Sequence, residues 1–168
     1  MPIAFDATVG GANANSYATV AQADAYSLAN LNRSAWLTAT DTIKQTALTM
    51  ATRLLDERIR WNGSKVTSAQ RLRWPRMNTY NADGEAVGST VIPEGVTNAT
   101  AELAFWLITG DRVADQDNAK LSRIKLDVLE LEFKDGAQTQ AIPDSVLEML
   151  QPYGEDLFNP ISVGLVRG

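Results

Sequence analysis

Asp41-Thr42-Ile43-Lys44-Gln45-Thr46-Ala47-Leu48-Thr49-Met50-Ala51-Thr52-Arg53-Leu54-Leu55-Asp56-Glu57-Arg58 reads as one amphipathic helix, and the rest of the chain is arranged around it. Ile43, Ala47, Met50 and Leu54 recur at spacings of four, three and four, and Ala51 and Leu55 widen that stripe to the breadth of a core-facing helix. Thr40 or Asp41 supplies the N-cap, and the turn signal Asn62-Gly63 follows, so the helix is expected to run to about Ile59. Lys44, Gln45, Thr52, Asp56 and Glu57 are expected on its outer face.

Upstream, Thr19 and Gln22 have capping-box spacing, and Val20, Ala23, Tyr26 and Ser27 share one face of a first helix that fades near Asn30. Residues 31–40 form a connection in which Trp36 and Leu37 must dock, and small polar residues before Thr19 read as an extended arm, 1–18. Downstream, 62–92 is full of turn punctuation and reads as a long irregular loop, of a kind that is generally functional in a compact domain. A third helix starts at Pro93, buries Val96, Ala99, Leu103, Trp106 and Leu107, and ends at Gly110. Around 121–134 the pattern changes to alternation, Leu129, Leu131 and Phe133 against Glu130, Glu132 and Lys134, which predicts a β-hairpin. A short last helix follows Pro143-Asp144 with Val146, Leu147 and Leu150 inward, and 154–168 reads as a C-terminal arm. The fold class is therefore mainly α: a small bundle of three principal helices plus a short C-terminal helix, with a projecting β-hairpin and extended terminal arms, the helical domain spanning 19–153.

Composition narrows function by exclusion. The 168 residues hold no cysteine and no histidine. That removes disulfides, thiolate nucleophiles, serine-histidine and cysteine-histidine catalysis and the commonest metal ligands. There is no apolar run long enough to span a bilayer, and Met1-Pro2-Ile3-Ala4-Phe5-Asp6 has neither a basic start nor an apolar core, so neither a membrane span nor a secretory leader is expected. Net charge is −5 but unevenly spread. The segment from Arg53 to Arg76 carries +5 and the remainder −10, a separation of poles that suits head-to-tail association or an acidic partner.

The carboxylates do not assemble a convincing site. Asp111, Asp115 and Asp117 resemble part of a calcium loop but lack its sixth-position Gly and twelfth-position Glu, and a solvated acidic loop accounts for them better. Asp56 and Glu57 lie amid arginines and are expected in surface ion pairs. Val9-Gly10-Gly11 has no phosphate-loop spacing. Catalytic, cofactor and metal residues are therefore expected to be none. One motif does suggest binding. Arg58-Ile59-Arg60-Trp61 and Arg71-Leu72-Arg73-Trp74-Pro75-Arg76, followed by Tyr80, interleave phosphate-tracking arginines with base-stacking rings, as in a single-strand groove. Against this, the chain is acidic overall, and tryptophans beside a proline also pin loops to cores.

Several short motifs occur in a telling order. Ala12-Asn13-Ala14-Asn15-Ser16-Tyr17 and Ala21-Gln22-Ala23-Asp24-Ala25-Tyr26 come first, then Trp36, Ala47-Leu48…Ala51-Thr52, Leu55-Asp56 and Trp61-Asn62-Gly63. Leu72-Arg73-Trp74-Pro75-Arg76 and the Ile-Pro…Glu-Leu-Ala motif between Ile92 and Ala104 complete the set. From about residue 12 to 153 this order resembles the phage head-tail connector (adaptor) family, a group also labelled DnaT-like single-strand DNA-binding proteins. The resemblance implies a non-enzymatic ring subunit beneath the portal, typically twelve-fold, in the neck of the virion and assembled in the host cytoplasm. Its implied partners are the portal protein, the next neck or tail protein and identical subunits, with DNA only passing through the lumen without sequence readout. The alternative is a single-stranded DNA-binding protein of phage replication. For a ring, the expected subunit interface sets Arg71, Arg73 and Arg76 against Glu130 and Glu132, with Leu129, Leu131 and Phe133 supplying apolar contact.

Overall fold

The computed structural model describes residues 4–110 and 142–158, and the capping signals open its helices where the sequence puts them. Helix α1 is Val20–Leu28, α2 Ser34–Leu37, α3 Asp41–Arg58, α4 Glu94–Thr109 and α5 Asp144–Leu150. At α1 the capping box is closed both ways, Gln22 N–H donating to Thr19 Oγ1 at 3.1 Å and Thr19 N–H to Gln22 Oε1 at 2.8 Å. Thr40 caps α3, while α4 and α5 start behind Pro93 and Pro143, whose missing N–H groups are no loss in a first turn. The fold is mainly helical, as expected. Three principal helices and a short C-terminal one form the bundle, and α2 is an extra turn inside the expected 31–40 connection.

Helix α4 is the centre. It packs on α3, α5, α1 and α2, so burial spreads around most of its circumference from Val96 to Phe105, well beyond the expected stripe. Trp106 and Leu107 are only half-buried. On α3 the inward face is rotated from the expected one: Lys44 and Thr52 are buried, while Ile43 is 48 % exposed. Each polar intruder has a partner, which is what makes its burial affordable. Lys44 Nζ reaches Asp24 at 2.8 Å, Trp36 Nε1 donates to the same Asp24 oxygen at 2.8 Å, and Thr52 Oγ1 accepts the Tyr17 N–H at 3.0 Å. Between α1 and α4, Glu102 takes Arg33 at 2.7 Å, the Tyr26 hydroxyl at 2.9 Å and Trp106 Nε1 at 2.9 Å.

Short strands tie the loops to this bundle. Strand β1 (Ile59–Trp61) leaves α3 directly and pairs antiparallel with β4 (Gly154–Asp156), Trp61 opposite Gly154. Strands β2 (Ser64–Lys65) and β3 (Arg76–Met77) form a second antiparallel pair inside the otherwise irregular 62–92 loop. The expected hairpin at 121–134 lies outside the described residues. Of the segments read as arms, residues 4–18 and 154–158 are among those described. Residues 4–18 hold no helix or strand but turn at Val9-Gly10 and fold back, Asn15 N–H donating to Asp6 O at 2.7 Å, and Ala14, Asn15, Ser16, Tyr17 and Ala18 are buried on the chain's own core. At the other end 154–156 is a paired strand rather than a free arm. In both places main-chain and side-chain hydrogen bonds to the body, such as Tyr17 N–H to Thr52 and Asn62 N–H to Tyr153 O at 2.9 Å, hold the segment down.

Gly63 shows how tightly the loop is drawn in. Its φ is +67°, and an added Cβ would lie 2.1 Å from Met77 O, across the β2–β3 pair. Gly84 has φ +79° but open space around it. Gly63→Ala is therefore expected to cost on the order of 3 kcal/mol of stability and Gly84→Ala about 1 kcal/mol, measured by denaturant unfolding. Equal losses would show that the loop is not pinned at Gly63.

Candidate functional site

The Arg/Trp segment is where the sequence concentrates binding chemistry, and β1 decides the direction of its first half. Alternation along the strand turns Ile59 and Trp61 inward and Arg60 outward, where it pairs with Glu155 of β4. Trp61 is 5 % exposed and Trp74 0 %. Four rings form an edge-to-face chain through the interior: Tyr17 to Trp61 at 6.2 Å, Trp61 to Trp74 at 5.8 Å and Trp74 to Tyr153 at 5.9 Å. Neither tryptophan offers a face to solvent. Of the expected stacking rings only Tyr80 is exposed.

The ring chain hangs on one carboxylate. One oxygen of Asp56 accepts the Tyr17 hydroxyl and Trp61 Nε1 at 3.0 Å, and the other accepts the Arg73 backbone N–H at 3.4 Å. Expected in a surface ion pair, Asp56 instead joins three distant stretches, because these donors converge as the N-terminal segment crosses α3. Burial pushes its carboxyl above the usual range, and the bonds from Tyr17 and Trp61 pull it only partly back. Burial, with the Asp56 charge beside it, pushes the Tyr17 hydroxyl well above its usual pKa.

The cations divide. Arg76, expected at a subunit interface, is only 8 % exposed. Its guanidinium donates to Asn62 O at 2.6 Å, Gly63 O at 2.6 Å, Arg73 O at 3.0 Å and Trp61 O at 3.4 Å. It is an internal staple, its planar fork satisfying carbonyls that an irregular loop leaves over. Burial lowers its pKa from the usual arginine value. Arg58 lies over the Phe158 ring at 4.4 Å, and Lys65 Nζ donates to Gln70 O at 2.7 Å. Arg53, Arg71 and Arg73 remain exposed. These three border a groove of about 730 Å³ along α3, with Thr42, Gln45, Thr46 and Thr49 continuing the same helix face and Phe5, Met50 and Leu72 as its apolar part. Asp56 and Glu57 also line it.

The structure thus leaves Arg71 and Arg73 at the surface and turns the Arg76 guanidinium inward, onto the Arg73 carbonyl among others. Glu130, Glu132, Leu129, Leu131 and Phe133 lie outside the described residues, as do Asp111, Asp115 and Asp117. Among the described residues no group of three His, Cys, Asp or Glu side chains is placed to hold a metal ion. The groove itself was legible only as the polar side of an amphipathic helix. Thr42, Thr46, Thr49 and Arg53 recur there at helical spacing, but nothing in that pattern shows that the N-terminal segment forms the opposite wall.

A groove with arginines at one end and an apolar floor can hold an extended anionic chain. A family model described as "Putative DnaT-like ssDNA binding protein" matches residues 1–168. The chain belongs to that family. No curated protein and no solved structure matches it. Membership carries the DnaT-like half of the resemblance seen in the ordered motifs and is silent on the head-tail connector half. For this member of the family, the rings that flank the arginines are committed to the interior.

Asp56 gives a pH test of that interior. Its native carboxyl holds a proton more tightly than in the unfolded chain, so its contribution to stability falls as pH rises from the usual carboxylate pKa through the raised native one. The stability of wild type minus that of Asp56→Asn, from denaturant midpoints, should be greatest at acid pH and decline through that window. A difference that rises with pH would contradict the burial of Asp56.

Proposed function

We propose that the chain is a non-catalytic subunit of a protein assembly, a head-to-tail connector ring of a tailed bacteriophage. One observation carries this reading: the segment whose composition suits a strand-binding groove spends Trp61, Trp74 and Arg76 on the chain's own core. Sequence-tolerant binding of single strands relies on rings that bases can stack upon, each worth about 1–3 kcal/mol. Here those rings are inside. Apolar side chains are instead exposed elsewhere, Leu28 at 72 %, Leu31 at 87 %, Leu37 at 46 % and Ile43 at 48 % among them, surface that a neighbouring subunit would cover. The ordered motifs add the particular assembly. In it the portal protein and the next neck or tail protein are partners, identical subunits close a ring, and DNA passes through the lumen. No helix among the described residues is long and apolar enough to cross a membrane.

The family description favours a second reading, single-stranded DNA binding in phage replication, and it is the one comparison that bears on the choice. In that case the strand runs along the α3 groove with its phosphates on Arg53, Arg71 and Arg73, and Asp56 and Glu57 oppose it.

Two measurements together separate the readings. At ~0.15 M salt a labelled oligo-dT is expected to bind no tighter than the micromolar range of non-specific contact. Mixed with purified portal, the protein is expected to form rings visible in negative stain. Nanomolar, steeply salt-dependent oligo-dT binding without portal decoration would move the conclusion to the second reading.

A further inference from the structure

The groove has a length, a wall chemistry and a side of the molecule, and together these select an occupant. From Thr42 to Glu57 its helical wall is about 22 Å long, the span of about seven extended residues. Its volume of about 730 Å³ falls within the ~300–1,000 Å³ of ligand clefts. The floor is apolar at Phe5, Met50 and Leu72. Of the charges facing it, Glu57 is held by Arg53 at 3.8 Å, and Asp56 already accepts three donors. Arg71 has only a 3.5 Å contact to Asn13 O, and the Arg73 guanidinium has no ion-pair partner among the described residues. The open demand is therefore for carboxylates alternating with apolar side chains.

The chain's own sequence contains such a segment. Residues 127–133 run Asp-Val-Leu-Glu-Leu-Glu-Phe, seven residues with three acids among four apolar side chains. We propose that the groove is the socket for the 127–133 segment of a second copy of the chain, an inference that rests on the assembly reading. A second copy fits better than the same copy for two reasons. The groove lies on the face of α3 opposite the one carrying Ala47, Leu48, Ala51 and Leu55, whereas 127–133 belongs to the 31 residues that leave α4 at Gly110 and return before α5. Those 31 residues, tethered at both ends, reach on the order of 50 Å when extended, enough to meet a neighbour. Single-stranded nucleic acid suits the groove less well, because Trp61 and Trp74, the rings on which bases would stack, are turned into the core. The pairing is heterologous, one patch against a different patch, as ring closure requires.

The test uses the full chain in sedimentation velocity over a range of concentrations. Wild type should self-associate. Arg53→Glu/Arg71→Glu/Arg73→Glu, and separately Asp127→Lys/Glu130→Lys/Glu132→Lys, should each weaken association at least tenfold. An equimolar mixture of the two variants should recover it, since each then offers the charge the other lacks. Circular dichroism checks folding, and the milder Arg71→Gln/Arg73→Gln pair reads the same contact if a reversal does not fold. A groove-reversed variant that associates like wild type overturns the proposal, and if it also decorates the portal, the assembly reading stands without this socket. A mixture that fails to recover excludes pairing between copies. Tight oligo-dT binding lost on groove reversal, with association intact, makes the groove a nucleic-acid interface instead. Wild type that neither associates nor decorates the portal overturns the assembly reading as well.

Discussion

The Asp56 carboxylate joins three stretches far apart in the chain: the N-terminal segment at Tyr17, the exit of α3 at Trp61 and the long loop at Arg73. Hydrogen bonds to a charged acceptor contribute about 1.5–3 kcal/mol each before the cost of burying the carboxylate is set against them, whereas an exposed ion pair is worth about 0–1 kcal/mol. The position of Asp56 also fixes what lies above and below. Beneath it, Tyr17 and Trp61 are set edge-to-face and pass the packing on to Trp74 and Tyr153. Above it, Arg73 and its neighbour Arg71 are held beside the outer face of α3, and a groove opens between them.

Structure and function are linked through that division of labour. The same segment supplies core and surface, tryptophans and Arg76 inward, Arg71 and Arg73 outward. A chain built this way can present an anion-attracting edge without a stacking platform. That suits contact with carboxylates of another protein better than capture of bases, whatever weak attraction to phosphates the arginines retain. The apolar side chains left in solvent between Leu28 and Ile43 point in the same direction.

Much of this fold could be read from the sequence. The Thr19/Gln22 capping box, the prolines before α4 and α5, and Gly110 after α4 mark element ends by local chemistry, which tertiary context seldom overrides. What could not be read depends on long-range partners. Lys44 and Thr52 look like solvated residues until Asp24 and Tyr17 N–H arrive beside them. Asp56 looks like a surface carboxylate until Tyr17 crosses α3, and Arg76 like an interface cation until the loop wraps its carbonyls around it. The N-terminal segment shows the same limit. It has no periodicity because it is neither helix nor strand, yet Tyr17 and Ala18 fill the core and Phe5 and Asn15 line the groove.

The central claim is that the tryptophans of the Arg/Trp segment face inward, and the indole proton of Trp61 reports on it most directly. In protein labelled with ¹⁵N at tryptophan, hydrogen exchange of that indole N–H, assigned by Trp61→Phe, should be far slower than that of an exposed indole. Its resonance should also stay in place when oligo-dT is added. Exchange at the rate of a solvated indole, with a resonance that moves on adding oligo-dT, would contradict the account and put the ring at a nucleic-acid surface.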